Sequence, residues 1–310
     1  MRDNKILVTA IGSFSGDIVI KSLKKNNNII ACDIYEKSWI ANADLVDKFY
    51  QVSKSVQDPN SYVTELIDIC KLEKVKYLVP LTDPEIDILI NYVDNFKEIG
   101  CELLLPEKNT VINCRDKRRY PKLVEEIEHL ESIPSLKDIN SFPVIGKKYN
   151  GRSSEGVIII ENKEIYSYYK KNPDYIFQPL LQGDIITVDV VRDKKGNIFS
   201  LARKELLRSA NGAGLTVEII QDSFIEKIIT DLVIKLNVLG CINIELIKVK
   251  DQYYLMDINP RFSAGISFSL LAGYNFVENH MKCFLGKEID KGKAIQKNIF
   301  TRKYVELCVK

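Results

Sequence analysis

DINPRF at residues 257–262, read with NIEL at residues 243–246, decides most of what can be said of this chain of 310 residues. Both stretches read as β-strands, and KVKDQYY between them, residues 248–254, reads as a turn. Glu245 and Asp257 are equidistant from Asp251, so a hairpin centred there sets the two carboxylates opposite each other. A two-residue turn would shift the register by one and send one acid to the other face. Asn259 falls on the same face as Asp257, because strand side chains alternate with period two. Carboxylates directly opposed on a sheet repel, and apolar Ile244, Leu246, Met256 and Ile258 flank them. A divalent cation between them would relieve the repulsion. Mg²⁺ suits such a place, since it uses few carboxylates and fills its other positions with water and substrate phosphates. The alternative is the solvated outer face of a hairpin. The matched register and the Asn-Pro-Arg that follows at once favour the metal.

The rest of the composition narrows the class. The chain is 45% apolar and 28% charged, the balance of a soluble globular enzyme of one large domain or two ordinary ones. Forty-four basic residues against 42 acidic give a net charge of +2, which argues for neither nucleic acid nor an anionic membrane. No apolar run reaches membrane-spanning length, and MRDNKILVTAIG runs directly into a strand with no signal-peptide layout. Seven scattered cysteines without CxxC spacing point away from a disulfide framework or a zinc site and toward a reducing cytoplasm. His129 and His280 are the only imidazoles and sit in no motif, so chemistry that needs a histidine base is disfavoured.

Residues 5–110 alternate in the βα manner. KILVTAI, NIIACDI, KYLVPL and CELLLP read as strands, and GSFSGDIVIKSLKK, SYVTELIDICKLEK and DPEIDILINYVDNF as helices. That pattern implies a parallel sheet with helices on both faces. After a short helical region at residues 117–129 the character changes at Ser141 to antiparallel strands and hairpins, interrupted by one helix at residues 223–236. The expected boundary is near residue 110.

The first βα turn, TAIGSFSG, carries Gly12 and Gly16, and Asp33 ends the second strand. A glycine turn at a helix N-terminus suits an anion, and an acid about 20 residues later suits a ribose. Ala10, however, stands where the first glycine of a dinucleotide fingerprint belongs. Two readings stay open, an anion site and a tight turn with close helix packing. This half alone would suggest an NAD-dependent oxidoreductase, which leaves the carboxylate hairpin unexplained.

A second group of residues suits phosphate. FPVIGKKYNGRSSEGVIII is a strand, a glycine-containing loop and another strand, with Lys147 at the strand end. In the loop Gly151 and Gly156 bracket Arg152, Ser153 and Ser154. Glycine lets backbone approach a phosphate, and amides and hydroxyls donate to it, while lysine supplies a point charge. Lying between strands, the loop would act as a mobile flap; a solvated hairpin loop is the alternative. In YIFQPLLQGD, residues 177–181 could read an adenine edge through backbone groups, with Pro179 offering no N–H. RKELLRSANGAG adds Arg203, Lys204 and Arg208, either phosphoryl-holding cations or, for Arg208 above all, ordinary surface charge.

These pieces in this order resemble the ATP-grasp superfamily, specifically its carbamoyl-phosphate-synthase-like carboxylate–amine ligases. The resemblance covers nearly the whole chain. It implies an α/β N-terminal pre-ATP-grasp domain with a Rossmann-like parallel sheet at 1–110, followed by an α+β ATP-grasp domain with antiparallel sheets at 111–310. The latter would divide into a small flap and hinge lobe at about 140–182 and a catalytic lobe at about 183–310. CRDKRR suggests Lys117, and FPVIGKK suggests Lys147, as nucleotide lysines. GRSSEG matches the glycine-rich flap, implying Gly151, Ser153, Ser154 and Gly156. QPLLQGD matches the adenine hinge, implying Gln178, Pro179, Leu181 and, beside the place of the family's ribose-contacting Glu, Asp184. DINPRFSAG matches E-x-N-P-R-x-x-G, the most specific of these signals, and implies Glu245, Asp257 and Asn259 as Mg²⁺ ligands. Three positions depart from the pattern. Asp257 stands where the family carries Glu, Ile185 occupies the ribose-contact position, and the flap has fewer glycines.

The resemblance implies an ATP-dependent ligase in the cytoplasm, using ATP with Mg²⁺ (or Mn²⁺). A substrate carboxylate would attack the γ-phosphate to give an acyl phosphate and ADP, and an amine would displace the phosphate. Arg203 and Arg261 would stabilise the oxyanion as catalytic residues. The partners expected are a small-molecule carboxylate and an amine, held between the domains by loops such as residues 10–15 and 82–85. Neither nucleic acid nor membrane is expected, and a homodimer is the expectation by analogy. The alternatives are a nucleotide-binding module without ligase activity, a thiol or bicarbonate substrate, and the oxidoreductase.

Overall fold

In the computed structural model, which describes residues 4–152, 155–292, 295 and 297–308, the chain opens with strand β1, Asn4–Val8. Ile6, Leu7 and Val8 of this strand are fully buried, as a central parallel strand covered on both faces requires. There follow α1 (Gly16–Leu23), β2 (Asn27–Asp33), β3 (Lys48–Gln51), α2 (Pro59–Glu73), β4 (Tyr77–Val79), α3 (Asp83–Leu89), α4 (Val93–Glu98) and β5 (Glu102–Leu103). The strands form one parallel sheet in the order β3-β2-β1-β4-β5. All four expected strands are present. The fifth, β3, is an edge strand of sequence KFYQ without a fully buried residue, so apolar patterning does not reveal it. Helix starts follow local chemistry: Asp58 accepts the Ser61 N–H at the head of α2, and Glu85 takes both the N–H and the hydroxyl of Thr82 at the head of α3.

Helices α5 (Lys108–Arg115) and α6 (Tyr120–Val124) and strand β6 (Leu130–Ser132) lead onward to a small antiparallel sheet. This sheet is β7 (Val144–Lys148), β8 (Ile158–Ile160) and β9 (Tyr175–Pro179), ordered β8-β7-β9 and backed by α7 (Lys163–Tyr169). The large sheet is built from β10 (Asp184–Arg192), β11 (Ile198–Arg208), β12 (Gly214–Ile220), β13 (Gly240–Val249), β14 (Gln252–Asn259) and β15 (Ile299–Thr301), with helices α8 (Ser223–Lys235), α9 (Ile266–Leu271) and α10 (Phe276–Phe284). Its order is β15-β12-β11-β10-β13-β14-β6, antiparallel except where β6 joins β14. The architecture is that of a parallel-sheet domain followed by a domain of antiparallel sheets. The single helix expected after Ser141 is joined by α7, α9 and α10. These run to nine residues at most, too short for periodicity to separate helix from strand.

The two domains share apolar packing. One cluster joins Val8, Val19 and Ile20 of the first domain to Val191, Phe276 and Met281 of the second. The opposite face of the large sheet is covered by α8 through Ile225, Ile229 and Leu232.

The β13–β14 hairpin reaches its register by an unexpected route. Val249 pairs with Gln252, so the turn is the two residues Lys250 and Asp251, with Lys250 at φ +54°. Continued unbroken, that register would set Glu245 opposite Met256. A β-bulge at Met256 restores the match, and Glu245 faces Asp257 and Asn243 faces Asn259. The extra residue also turns Met256 to the same cleft as Asp257.

Candidate active site

The paired acids open into a cleft of about 270 Å³ between the small and large sheets. β13 and β14 supply Asn243, Glu245, Asp257 and Asn259; β7 supplies Lys147; and the turn after α5 supplies Lys117. The polar half of the cleft is tightly paired. Lys117 Nζ lies 2.9 Å from Asp257 Oδ1 and donates to the Gly151 carbonyl at 3.0 Å. The Tyr120 hydroxyl is 3.2 Å from the same Asp257 oxygen and accepts the Ile258 N–H. Arg208 Nη2 lies 2.9 Å from Glu245 Oε2. The repulsion between the facing carboxylates is therefore already answered by two cations of the chain itself. Burial pushes the Glu245 carboxyl above its usual range, with Arg208 opposing and Asp257 adding to the rise. Burial, reinforced by the Lys117 cation, pulls the Lys147 amine down to about 8, against the pull of Asp257 and Glu245.

The other half of the cleft is apolar. Ile133, Ile145, Val157, Leu181, Ile247 and Met256 line a slot of the kind that takes a planar ring, with a few polar groups to orient it. Gln178 lines it as well, but its amide donates to the Ile133 carbonyl at 2.8 Å, so it holds the slot's wall in place.

The cleft brings together Lys117, Lys147, Gly151, Gln178, Pro179, Leu181, Arg203, Glu245, Asp257, Asn259 and Arg261. Ser153 and Ser154 lie outside the described residues. Gly156, at φ +71°, is not among the lining residues, though its neighbours Glu155 and Val157 are. One expectation needs correction. Asp184 does not join the cleft: it is half exposed and pairs with Lys204 at 2.8 Å. β10 runs against β13 without a bulge, so alternation gives the cleft Thr187 and leaves Asp184 on the other face. Arg203 lines the cleft from a buried position. It is 1% exposed, with Nη1 2.6 Å from Asp189 Oδ2 and Nη2 2.8 Å from Ser263 Oγ. Ser269 takes a further bond from Nη1, while Nε has no hydrogen-bond partner and lies 3.6 Å from Glu205 Oε1.

Sequence reading passed over three residues. Arg208, for which surface charge is the favoured of two readings, reaches Glu245 through the irregular end of β11. Tyr120 carried no local signal. Asn243 did: it lies two residues before Glu245 on the same face, and its Oδ1 accepts from Asn259 Nδ2 at 3.3 Å.

The donor set fits a hard cation. Among the described residues no three His, Cys, Asp or Glu side chains cluster as a metal site. Two carboxylates and an amide oxygen, all hard donors, instead fit an ion that completes its shell with water and phosphate. Such a shell suits Mg²⁺ or Mn²⁺ and not a soft metal.

A second cleft, of about 660 Å³, lies at the C-terminal ends of β1, β2 and β4. It is lined by Gly12, Asp33, Tyr35, Trp39 and Thr82 and shares Arg152 and Glu155 with the first. Asp33 is committed within it: Oδ2 accepts the Gly12 N–H at 2.8 Å and Oδ1 the Tyr35 N–H at 3.3 Å. A Cβ at Gly16 would sit 2.0 Å from the Ile11 carbonyl oxygen. Gly16 is thus needed for the close approach of α1, and Asp33 braces the turn.

Residues 171–306 match the family described as ATP-grasp in the biosynthetic pathway with Ter operon. Residues 6–104 match the PylC-like N-terminal domain. Among solved structures, the chain is similar to the biotin carboxylase of Campylobacter jejuni, in a β,γ-ATP complex, with 16% identity over 96% of this chain and 75% of that one (TM-score 0.78). The biotin carboxylase domain of Hydrogenobacter thermophilus 2-oxoglutarate carboxylase, with MgADP, ADP and bicarbonate, gives 16% identity over 96% and 73% (TM-score 0.77). N5-carboxyaminoimidazole synthetase of Staphylococcus aureus, complexed with ADP, gives 15% over 93% and 78% (TM-score 0.72). At these identities the likeness is one of fold.

Proposed function

We propose, for a chain that belongs to the ATP-grasp superfamily, an ATP-dependent carboxylate–amine ligase that works through an acyl phosphate and releases ADP and phosphate. The observation that carries this reading is the convergence of Lys117, Lys147, Glu245, Asp257, Asn259 and Arg261 on one cleft that Ile133, Ile145, Leu181 and Met256 also line. The slot suits an adenine and the charged end a triphosphate. Seven basic side chains against four carboxylates line the cleft, an excess that suits a polyanion.

Glu245, Asp257 and Asn259 would hold Mg²⁺, which when bound supplies charge neutralisation at the phosphates. Lys117 and Lys147 would hold the phosphate oxygens. The substrate carboxylate would attack the γ-phosphorus, forming a carboxyl–phosphate bond as the bond to the ADP oxygen breaks. Arg261, at the end of β14, would face the acyl phosphate as the amine adds and phosphate leaves. Phosphoryl transfer is mainly positioning and charge stabilisation, so neither histidine is required. The second cleft, sharing Arg152 and Glu155 with the first, is the place for the co-substrate.

The test is incubation with Mg-ATP, hydroxylamine and pooled metabolic carboxylates, measuring hydroxamate and ADP. Acid-dependent hydroxamate with stoichiometric ADP is expected, and splitting the pool names the acid. ADP that depends on bicarbonate without hydroxamate would replace the organic acid by bicarbonate. ATP binding without ADP under any mixture would leave a nucleotide-binding module.

A further inference from the structure

Arg261 is held from the other domain. Its Nη2 donates to Asp83 Oδ2 at 2.7 Å, and Asp83 is the first residue of α3, 178 positions away in the chain. The same Nη2 lies 3.3 Å from Asn259 Oδ1, and Nη1 donates to the Phe262 carbonyl at 3.0 Å. Asn259 in turn donates to Asn243 at 3.3 Å. A line of hydrogen bonds thus runs from α3 of the parallel-sheet domain to the amides beside the paired carboxylates. Asp83 is 2% exposed, a cost that a carboxylate bears only when it is paired.

Asp83 is not accounted for by a simple domain contact. Arg115 is near it, but its Nη1 stays 3.9 Å from Asp83 Oδ1, and neither atom has a hydrogen-bond partner. Arg115 instead grips Asp87, one turn along α3, through Nε at 2.9 Å and Nη2 at 3.2 Å. Arg152 also leans on Asp87, at 3.5 Å. Asp87 thus pairs with Arg115 and Arg152, while Asp83 hydrogen-bonds Arg261 and adds a longer ion pair to Arg115. Arg261 lines the same cleft as Asp257 and Glu245, which Lys117 and Arg208 already pair.

We propose that Asp83 is a positioning residue for the reaction: it aims Arg261 at the reacting phosphate. Resting on the ligase reading, this makes α3 part of both clefts. Thr82, Pro84 and Glu85 line the second, and Asp83 steers the arginine of the first.

The experiment pairs Asp83→Asn with Arg261→Ala and the double variant, with Asp87→Asn as a control for loss of a domain contact. In Asp83→Asn, kcat for acid-dependent ADP formation should fall by about 10–100-fold, the usual cost of losing a partner that orients a site group. The Kd of Mg-ATP should change by less than about threefold, because phosphate binding rests on the lysines. In the Arg261→Ala background Asp83→Asn should add less than about twofold, since residues acting as a unit are non-additive. Asp83→Asn costing as much without Arg261 as with it, or moving only Kd or only the melting temperature as Asp87→Asn does, would overturn the proposal. A second arm needs no turnover. Phenylglyoxal modification of Arg261, followed by peptide mass, should be several-fold faster in Asp83→Asn than in wild type. Equal rates would overturn the positioning role even if the chain proved to be no ligase, and a faster rate without turnover in any form would place the failure in the ligase reading.

Discussion

The lowered Lys147 amine makes the pH dependence of nucleotide binding a direct test of the cleft. Burial, with Lys117 beside it, brings the amine from 10.5 to about 8. An ordinary lysine would stay charged through pH 9. At about 8, roughly nine-tenths of the Lys147 population is charged at pH 7 and roughly one-tenth at pH 9. A triphosphate binds the charged form and holds the proton on, so the Kd of Mg-ATP should rise about tenfold between those values, about 1.4 kcal/mol. Stability should move the other way. The folded value lies below the unfolded one, so the unfolded chain binds more protons between pH 8 and 10.5. Lys147 therefore weakens the fold below pH 8, and that penalty is lifted as pH rises through 8 to 10.5. Affinity falling while this contribution to stability rises is a signature that general alkaline loosening does not produce.

The assay is titration calorimetry with Mg-ATP at pH 7 and pH 9, at matched ionic strength and saturating Mg²⁺. Lys147→Arg keeps its charge at both values and should show no tenfold step. Lys147→Met should bind weakly at both. A flat wild-type profile, or the same step in Lys147→Arg, would refute the reasoning by assigning the proton to another group.

Two further outcomes are expected. Asp257→Asn keeps the shape of a proposed metal ligand and removes its charge, so acid-dependent ADP formation should fall by at least about 100-fold while circular dichroism stays native; wild-type turnover would remove Asp257 from the mechanism. Arg203→Met should act on stability, costing about 3–5 kcal/mol in urea unfolding because it strands Asp189, itself 0% exposed, without its cation. A stable Arg203→Met protein with lost turnover would return Arg203 to the chemistry.

What could be read in the sequence was local. Alternation along β13 and β14 places Glu245, Asp257 and Asn259 on one face, and the same rule applied to β10 excludes Asp184. Alternation fails where a strand breaks step. Arg208 reaches Glu245 only because β11 shifts register against β12 after Glu205, and no pattern in RKELLR announces a shift. Met256 enters the cleft for the same reason. The expected match of Glu245 with Asp257 holds although the turn is of the kind that should have broken it: a two-residue turn and a one-residue bulge cancel. Asp83 was illegible for a different reason. Its partner is far along the chain, and a long-range pair between domains leaves no periodic trace.

Facing carboxylates require a cation, and in this fold the chain supplies two, Lys117 on Asp257 and Arg208 on Glu245. A divalent ion arriving alone would have to compete with both for the same oxygens, and a triphosphate arriving alone would meet two carboxylates beside the lysines. The two together answer both problems. With Glu245 and Asp257 holding the ion, Lys117 and Arg208 would be freed for phosphate oxygens, and each ligand would remove the penalty that the other incurs. Metal and nucleotide affinity should then be coupled by reciprocal linkage. The coupling is written in the ion pairs themselves, because the residues that keep the acids from repelling one another are the ones a triphosphate would recruit.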